Sequence, residues 1–105
     1  MATATKPDLV RAARLFHALS DPTRLRLLHS LKRGERCVCE LMDATDAGQS
    51  RVSFHLKVLR EAGVLLDRRD GRWVHYRINP EALADIEEMA KSLAPTGEQG
   101  SECAC

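Results

Sequence analysis

No apolar run in this chain of 105 residues approaches the length needed to cross a membrane, so no span is expected. The opening MATATKPD is short and polar and reads as no secretory leader. A cytoplasmic setting follows as the expectation, and thiols stay reduced there. The motifs of nucleotide binding and of common hydrolases are also missing: there is no P-loop, no HExxH and no GxSxG. No histidine follows His75, and His17, His29, His55 and His75 form no ligand-spaced pair. No internal repeat is present. These absences point away from an enzyme. The four cysteines, in a reducing compartment, read as metal or redox chemistry and not as a disulfide framework.

Net charge is nearly absent too, at +1, but the sum conceals segregation. Residues 49–77 carry 7 Lys and Arg against 3 Asp and Glu, whereas residues 78–105 carry 1 against 6. A basic middle beside an acidic end suggests one face built for a polyanion.

Apolar spacing predicts a mainly α chain with one β-hairpin. A first helix covers 8–19, with Leu9, Ala12, Ala13, Phe16 and Leu19 on its apolar stripe. Asp21 and Pro22 are cap and first-turn signals for a second helix over about 22–33, with Leu25, Leu27, Leu28 and Leu31 inward and Gly34 at its end. A short third helix spans roughly 37–45, the segment 46–49 makes a tight turn, and a fourth helix covers 50–62 on a stripe of Val52, Leu56, Leu59 and Ala62. VLLDRRDGRWVHYRI then reads as a hairpin turning at Asp70-Gly71. Pro80 opens a last helix over 80–93. The expected organisation is a single domain over 1–94 and a flexible, cysteine-containing tail over 95–105.

Helix, turn, helix and basic hairpin describe a winged helix-turn-helix. The second helix of such a unit reads the major groove with its N-terminal residues. Here those are Gln49, Ser50, Arg51, Ser53 and Phe54, with His55 and Lys57 one turn further on. Gln and Arg can make paired contacts with adenine and guanine edges, and the serines can bond phosphate or base. For His55 a place inside the protein is as good a reading as a phosphate contact. With Asp70-Gly71 as the turn, Arg69 and Arg72 face one another beside Arg68, an arrangement that suits a phosphate between them. One protomer reads few base pairs, so a homodimer on two half-sites about 34–36 Å apart is expected, joined through the apolar first and last helices.

Cys37 and Cys39 stand two apart in ERCVCELM. Within a helix such side chains diverge, so gripping one ion would mean fraying the helix start. Small apolar filler is the bland alternative.

The segments SDPTRLRLLHSL, ERCVCELM and QSRVSFHLKVLREAGVLLDRRDGRWVHYRI together resemble the ArsR/SmtB family of winged-helix repressors, and within it the arsenical-resistance branch. The resemblance covers about residues 9–93. It implies a homodimer that represses an operon and leaves double-stranded operator DNA when As(III) or Sb(III) binds thiolates, Cys37 and Cys39 among them. No catalytic cofactor is implied. The branch's best-known form reads CVC-D-L-C, and here the last of those thiols is replaced by Met42. The tail offers a second CxC, Cys103 and Cys105, and a flexible chain from Pro95 to Cys103 spans roughly 15–17 Å. Either tail thiol could complete the site, from its own protomer or its partner. The resemblance to zinc sensors stops short, since their last-helix site needs histidines this chain lacks, leaving Asp85, Glu87 and Glu88 as a solvated face. An alternative within the same fold is a repressor that senses oxidants or reactive sulfur through these thiols. A small CxC oxidoreductase is a third reading, one that leaves the basic helix and hairpin without a purpose.

Overall fold

The computed structural model describes residues 8–97. Five helices and a small sheet follow in the order α1 (Leu9–Leu19), α2 (Pro22–Leu31), β1 (Arg36–Cys37), α3 (Val38–Thr45), α4 (Gln49–Glu61), β2 (Leu65–Asp70), β3 (Trp73–Ile78) and α5 (Pro80–Ser92). The class is the one expected, mainly α with a β-hairpin, arranged as a winged helix-turn-helix. Among the described residues no helix is long and apolar enough to cross a membrane.

Local chemistry accounts for the boundaries. Asp8 caps α1 by accepting from Arg11 N at 3.0 Å. Asp21 accepts from Thr23 N at 2.8 Å and Arg24 N at 3.2 Å, and Pro22 supplies a fixed φ where no N–H is needed. These donors, with the Arg24 guanidinium nearby, hold the Asp21 carboxyl below the usual carboxylate range despite its partial desolvation. Asp46 closes α3 in the left-handed region (φ 65°). Asn79 starts α5 by accepting from Glu81 N at 3.1 Å, and its amide donates to Gly63 O at 2.9 Å, tying α5 to the entry of the hairpin.

The core is where α2, α3 and α4 meet the base of the hairpin. Leu15, Leu27, Leu31, Leu41, Val52, Leu56, Leu59, Val64 and Leu65 are fully buried. The α4 stripe is as expected, with Ala62 only partly buried. The other helices are less fully covered. On α1 the buried residues are Leu15 and Ala18, while Leu9, Val10 and Phe16 are exposed. On α2 Leu25 lies outside and Arg24 lies inside. On α5 only Ala82 is buried, and Leu83 and Leu93 are exposed. The reason is position. Helices α1 and α5 lean on each other at the margin of the unit, linked by Arg11–Asp85 at 2.6 Å, and each leaves an apolar face open.

Two features of the sheet also depart from expectation. It has three strands, ordered β1-β3-β2, because Arg36 and Cys37 pair with Tyr76 and His75. The hairpin turn lies one residue later than the Asp-Gly signal suggests. Asp70 pairs with Trp73, so Gly71 and Arg72 are the central residues. Gly71 has φ 65° and Arg72 a negative φ, the pattern of a type II′ turn, which needs glycine first. Arg69 consequently faces Val74, and the expected opposition of Arg69 and Arg72 is not formed. No other atom crowds a Cβ at Gly71. Gly71→Ala therefore incurs only backbone strain, about 1–2 kcal/mol, read as a lower urea midpoint at unchanged slope.

Candidate nucleic-acid interface and thiol segment

Helix α4 divides cleanly by face. Val52, Leu56 and Leu59 are sealed in the core, whereas Gln49, Ser50, Arg51, Ser53, Phe54 and Lys57 are exposed. Gly48 precedes the helix and brings no capping side chain, so the positive end of α4 faces outward among these groups. Phe54 is 57% exposed, an unusual setting for an aromatic ring unless a partner covers it.

His55 does not join this outward set. It is 6% exposed, and its Nδ1 lies 3.0 Å from Arg24 Nη1. Of its two expected places, it takes the one inside the protein. Sequence reading had no means of pairing residues 31 apart.

The hairpin carries Arg69 and Arg72 into solvent at its tip. Arg68, grouped with them above, is occupied otherwise. Its Nη2 and Nε donate to the two carboxylate oxygens of Glu35 at 2.7 and 3.2 Å. This fork holds the Glu35 carboxyl below the usual range, chiefly through the hydrogen bond from Arg68. Glu35 immediately precedes β1 at one edge of the sheet, and Arg68 lies on β2 at the other edge. Arg68 therefore acts first as a strut between the hairpin and the approach to Cys37. Trp73 is 52% exposed, while Tyr76 lies against the core.

The thiol segment differs most from a purely helical reading. Cys37 is not in α3. It is the N-cap, with φ −90° and ψ 170°, and it ends β1 opposite His75. Helix α3 starts at Val38, so Cys39 lies in its first turn and is exposed. The expected cost of chelation, a frayed helix start, is thus largely absent, since Cys37 is already extended. Glu40 holds the junction: its carboxylate accepts from Cys37 N at 3.0 Å, and the Cys37 thiol lies against it too. Those two contacts, the backbone one the stronger, keep the Glu40 carboxyl low. Both cysteines are free thiols. Met42 is partly buried and packs against the core, so it serves as filler and not as an outward ligand. Among the described residues no three His, Cys, Asp or Glu side chains are placed to hold a metal ion. Cys103 and Cys105 lie outside the described residues. Asp85 pairs with Arg11 and Glu87 with Lys91 at 3.4 Å, consistent with a solvated face on α5.

A helix with an exposed polar and basic N-terminal half, carried on a helix-turn-helix and flanked by a hairpin with arginines at its tip, defines a winged helix-turn-helix regulator that binds DNA. Comparison with known proteins narrows the class. Residues 21–65 match the family model described as bacterial regulatory protein, arsR family. The chain is 50% identical over 88 residues to the arsenic resistance transcriptional regulator ArsR2 of Pseudomonas putida, covering 81% of this chain and 70% of that one. It is 39% identical over 99 residues to a probable mercury resistance operon repressor of Streptomyces lividans, covering 94% and 78%. Among solved structures, a homodimeric winged helix-turn-helix DNA-binding domain from Mycobacterium bovis superposes with a TM-score of 0.69 at 31% identity, covering 90% of each chain. The chain belongs to the ArsR family of bacterial transcriptional regulators, a family of DNA-binding repressors and not of enzymes.

Proposed function

We propose that this chain is a cytoplasmic, homodimeric repressor of an arsenical-resistance operon, released from operator DNA when As(III) or Sb(III) binds Cys37 and Cys39. One observation carries the reading. Cys37 is shared by three structures: it ends β1, caps α3, and stands across from β3, the central strand of the sheet. Helix α3 in turn packs on α4. An ion drawing Cys37 toward Cys39 competes with the strand pairing and with Glu40, and so acts on the hairpin and on the reading helix together. DNA and the ion then weaken one another reciprocally. The operator contacts are Gln49, Ser50, Arg51, Ser53, Phe54 and Lys57 on α4, with Arg69 and Arg72 on the hairpin. The open faces of α1 and α5 form the dimer contact, since they leave Leu9, Val10, Phe16, Leu83 and Leu93 exposed, and a structural relative is homodimeric.

Two thiolates suit a soft ion, and trivalent arsenic favours a third. With Met42 in the core, the tail is the proposed source, through Cys103 or Cys105. Truncation after Gln99 tests this. Operator binding is expected to persist, while release demands a higher arsenite concentration; unchanged arsenite affinity and release remove the tail from the site. A mobility shift on operator DNA titrated with arsenite, antimonite, mercuric ion, cadmium, zinc and peroxide tests the whole proposal. Release by arsenite alone supports it. Release by peroxide but not by arsenite replaces it with thiol oxidation, and a mercuric preference follows the Streptomyces relative.

A further inference from the structure

Beneath the reading helix lies a polar contact that neither the operator contacts nor the thiol segment uses. Arg24 enters the body of the protein from α2 and is 7% exposed. Its Nε donates to Ala18 O at 2.7 Å, and its Nη2 reaches His17 O at 3.4 Å, so the end of α1 holds one side of the guanidinium. Its Nη1 meets His55 Nδ1 at 3.0 Å on α4. A guanidinium only donates, so Nδ1 must be the acceptor and the imidazole must be neutral, with its proton on Nε2. No buried side-chain nitrogen or oxygen among the described residues lacks a partner, so Nε2 keeps access to solvent. The ring of Phe54, on the exposed face, packs edge-on against His55 at 5.3 Å between centroids.

We infer that Arg24 and His55 are positioning residues for operator recognition: their bridge sets how α4 lies against α1 and α2, and it holds only while His55 is neutral. The inference rests on reading α4 as the helix that enters the groove. Protonating Nδ1 turns the contact into two cations in a nearly closed site, and α4 must move to separate them. The charged groups facing His55 are Asp21 and Arg24 from α2 and Arg51 on its own helix. Burial holds the imidazole below its ordinary range; Asp21 opposes this, and Arg24 and Arg51 add to it. A histidine lowered on folding leaves the native state fully favoured above the unfolded value, about 6.5, and progressively disfavoured as pH falls from there through the folded value.

The sign runs against general electrostatics. Positive charge gained by the protein as pH falls should by itself strengthen DNA binding. The test measures operator affinity by fluorescence anisotropy between about pH 7.5 and 5, spanning the ordinary histidine range, for the full-length wild type and for His55→Asn. Asparagine keeps an oxygen acceptor near the Nδ1 position and does not titrate. At the upper pH the two proteins are expected to bind alike. At the lower pH the wild type should lose operator affinity that the variant keeps. Parallel pH profiles overturn the inference, and so does a His55→Asn protein that fails to bind operator at the upper pH while its helix content and its arsenite affinity match the wild type. Helical circular dichroism at each pH supplies the last criterion. Weaker binding by a fully helical protein supports the bridge as a positioner, whereas loss of helix over the same range overturns it, because the pair would then merely hold the fold. Loss of operator binding by both proteins at every pH would instead refute the operator-binding function on which the inference rests.

Discussion

Cys37→Ser and Cys39→Ser proteins are expected to bind operator DNA like the wild type and to remain bound at arsenite concentrations that free the wild type completely. The local structure makes this a clean experiment. Cys37 occupies the N-cap of α3, where serine is a better residue than cysteine, so the first substitution should not loosen the helix. Cys39 is exposed in the first turn, and serine there replaces no core contact. What both variants lose is a thiolate, the donor that a soft trivalent ion requires. A mobility shift with rising arsenite reads the outcome directly. A variant still released in parallel with the wild type would remove the CxC pair from the sensing site. A variant unable to bind operator at all would make Cys37 a structural residue first.

The second large effect concerns Arg51. It stands at the exposed start of α4 and has no carboxylate partner among the described residues. Arg51→Ala should weaken operator binding by about 1–3 kcal/mol per protomer, roughly 5- to 150-fold, and twice that free energy in a dimer. Arsenite affinity of the DNA-free protein should not change, because the thiol segment lies on other elements. Repeating the measurement across salt concentrations separates the two chemistries open to the guanidinium. A phosphate contact reduces the salt slope by about one and weakens all sequences evenly. A paired contact with guanine leaves the slope and relaxes discrimination at one base position. Full retention of affinity would place Arg51 outside the interface.

What could be read from the chain alone was whatever is written locally. Asp21-Pro22, Gly63 and Pro80 mark their boundaries within one or two residues, and the α4 stripe repeats at the helical period. What escaped depends on residues far apart in sequence. Strand β1 has two residues and no period to detect, so Cys37 was assigned to a helix that it only caps. The Glu35–Arg68 fork and the Arg24–His55 contact join positions 33 and 31 apart, and no local signal announces either. The hairpin turn slipped by one because Asp-Gly is a strong cue for one turn type, while the glycine here opens another. Helices α1 and α5 are apolar on more of their circumference than one chain can cover, so periodicity alone does not say which side goes inward. For the candidate site, the exposed residues of α4 were legible from position in the motif, whereas the division of labour between Arg68 and its neighbours was not.

The shortness of β1 has a consequence for how fast the protein can respond. A two-residue bridge at a sheet edge, with both residues only partly buried, belongs to the portion of a fold that opens by small fluctuations and not by global unfolding. Amide hydrogen exchange at Arg36 and Cys37 should accordingly be quicker than at Leu56 or Leu59, whose helix is anchored in the core. Capture of an inducer would then wait on a local event of low cost, and the rest of the domain could stay folded, dimeric and ready to rebind once the ion is gone.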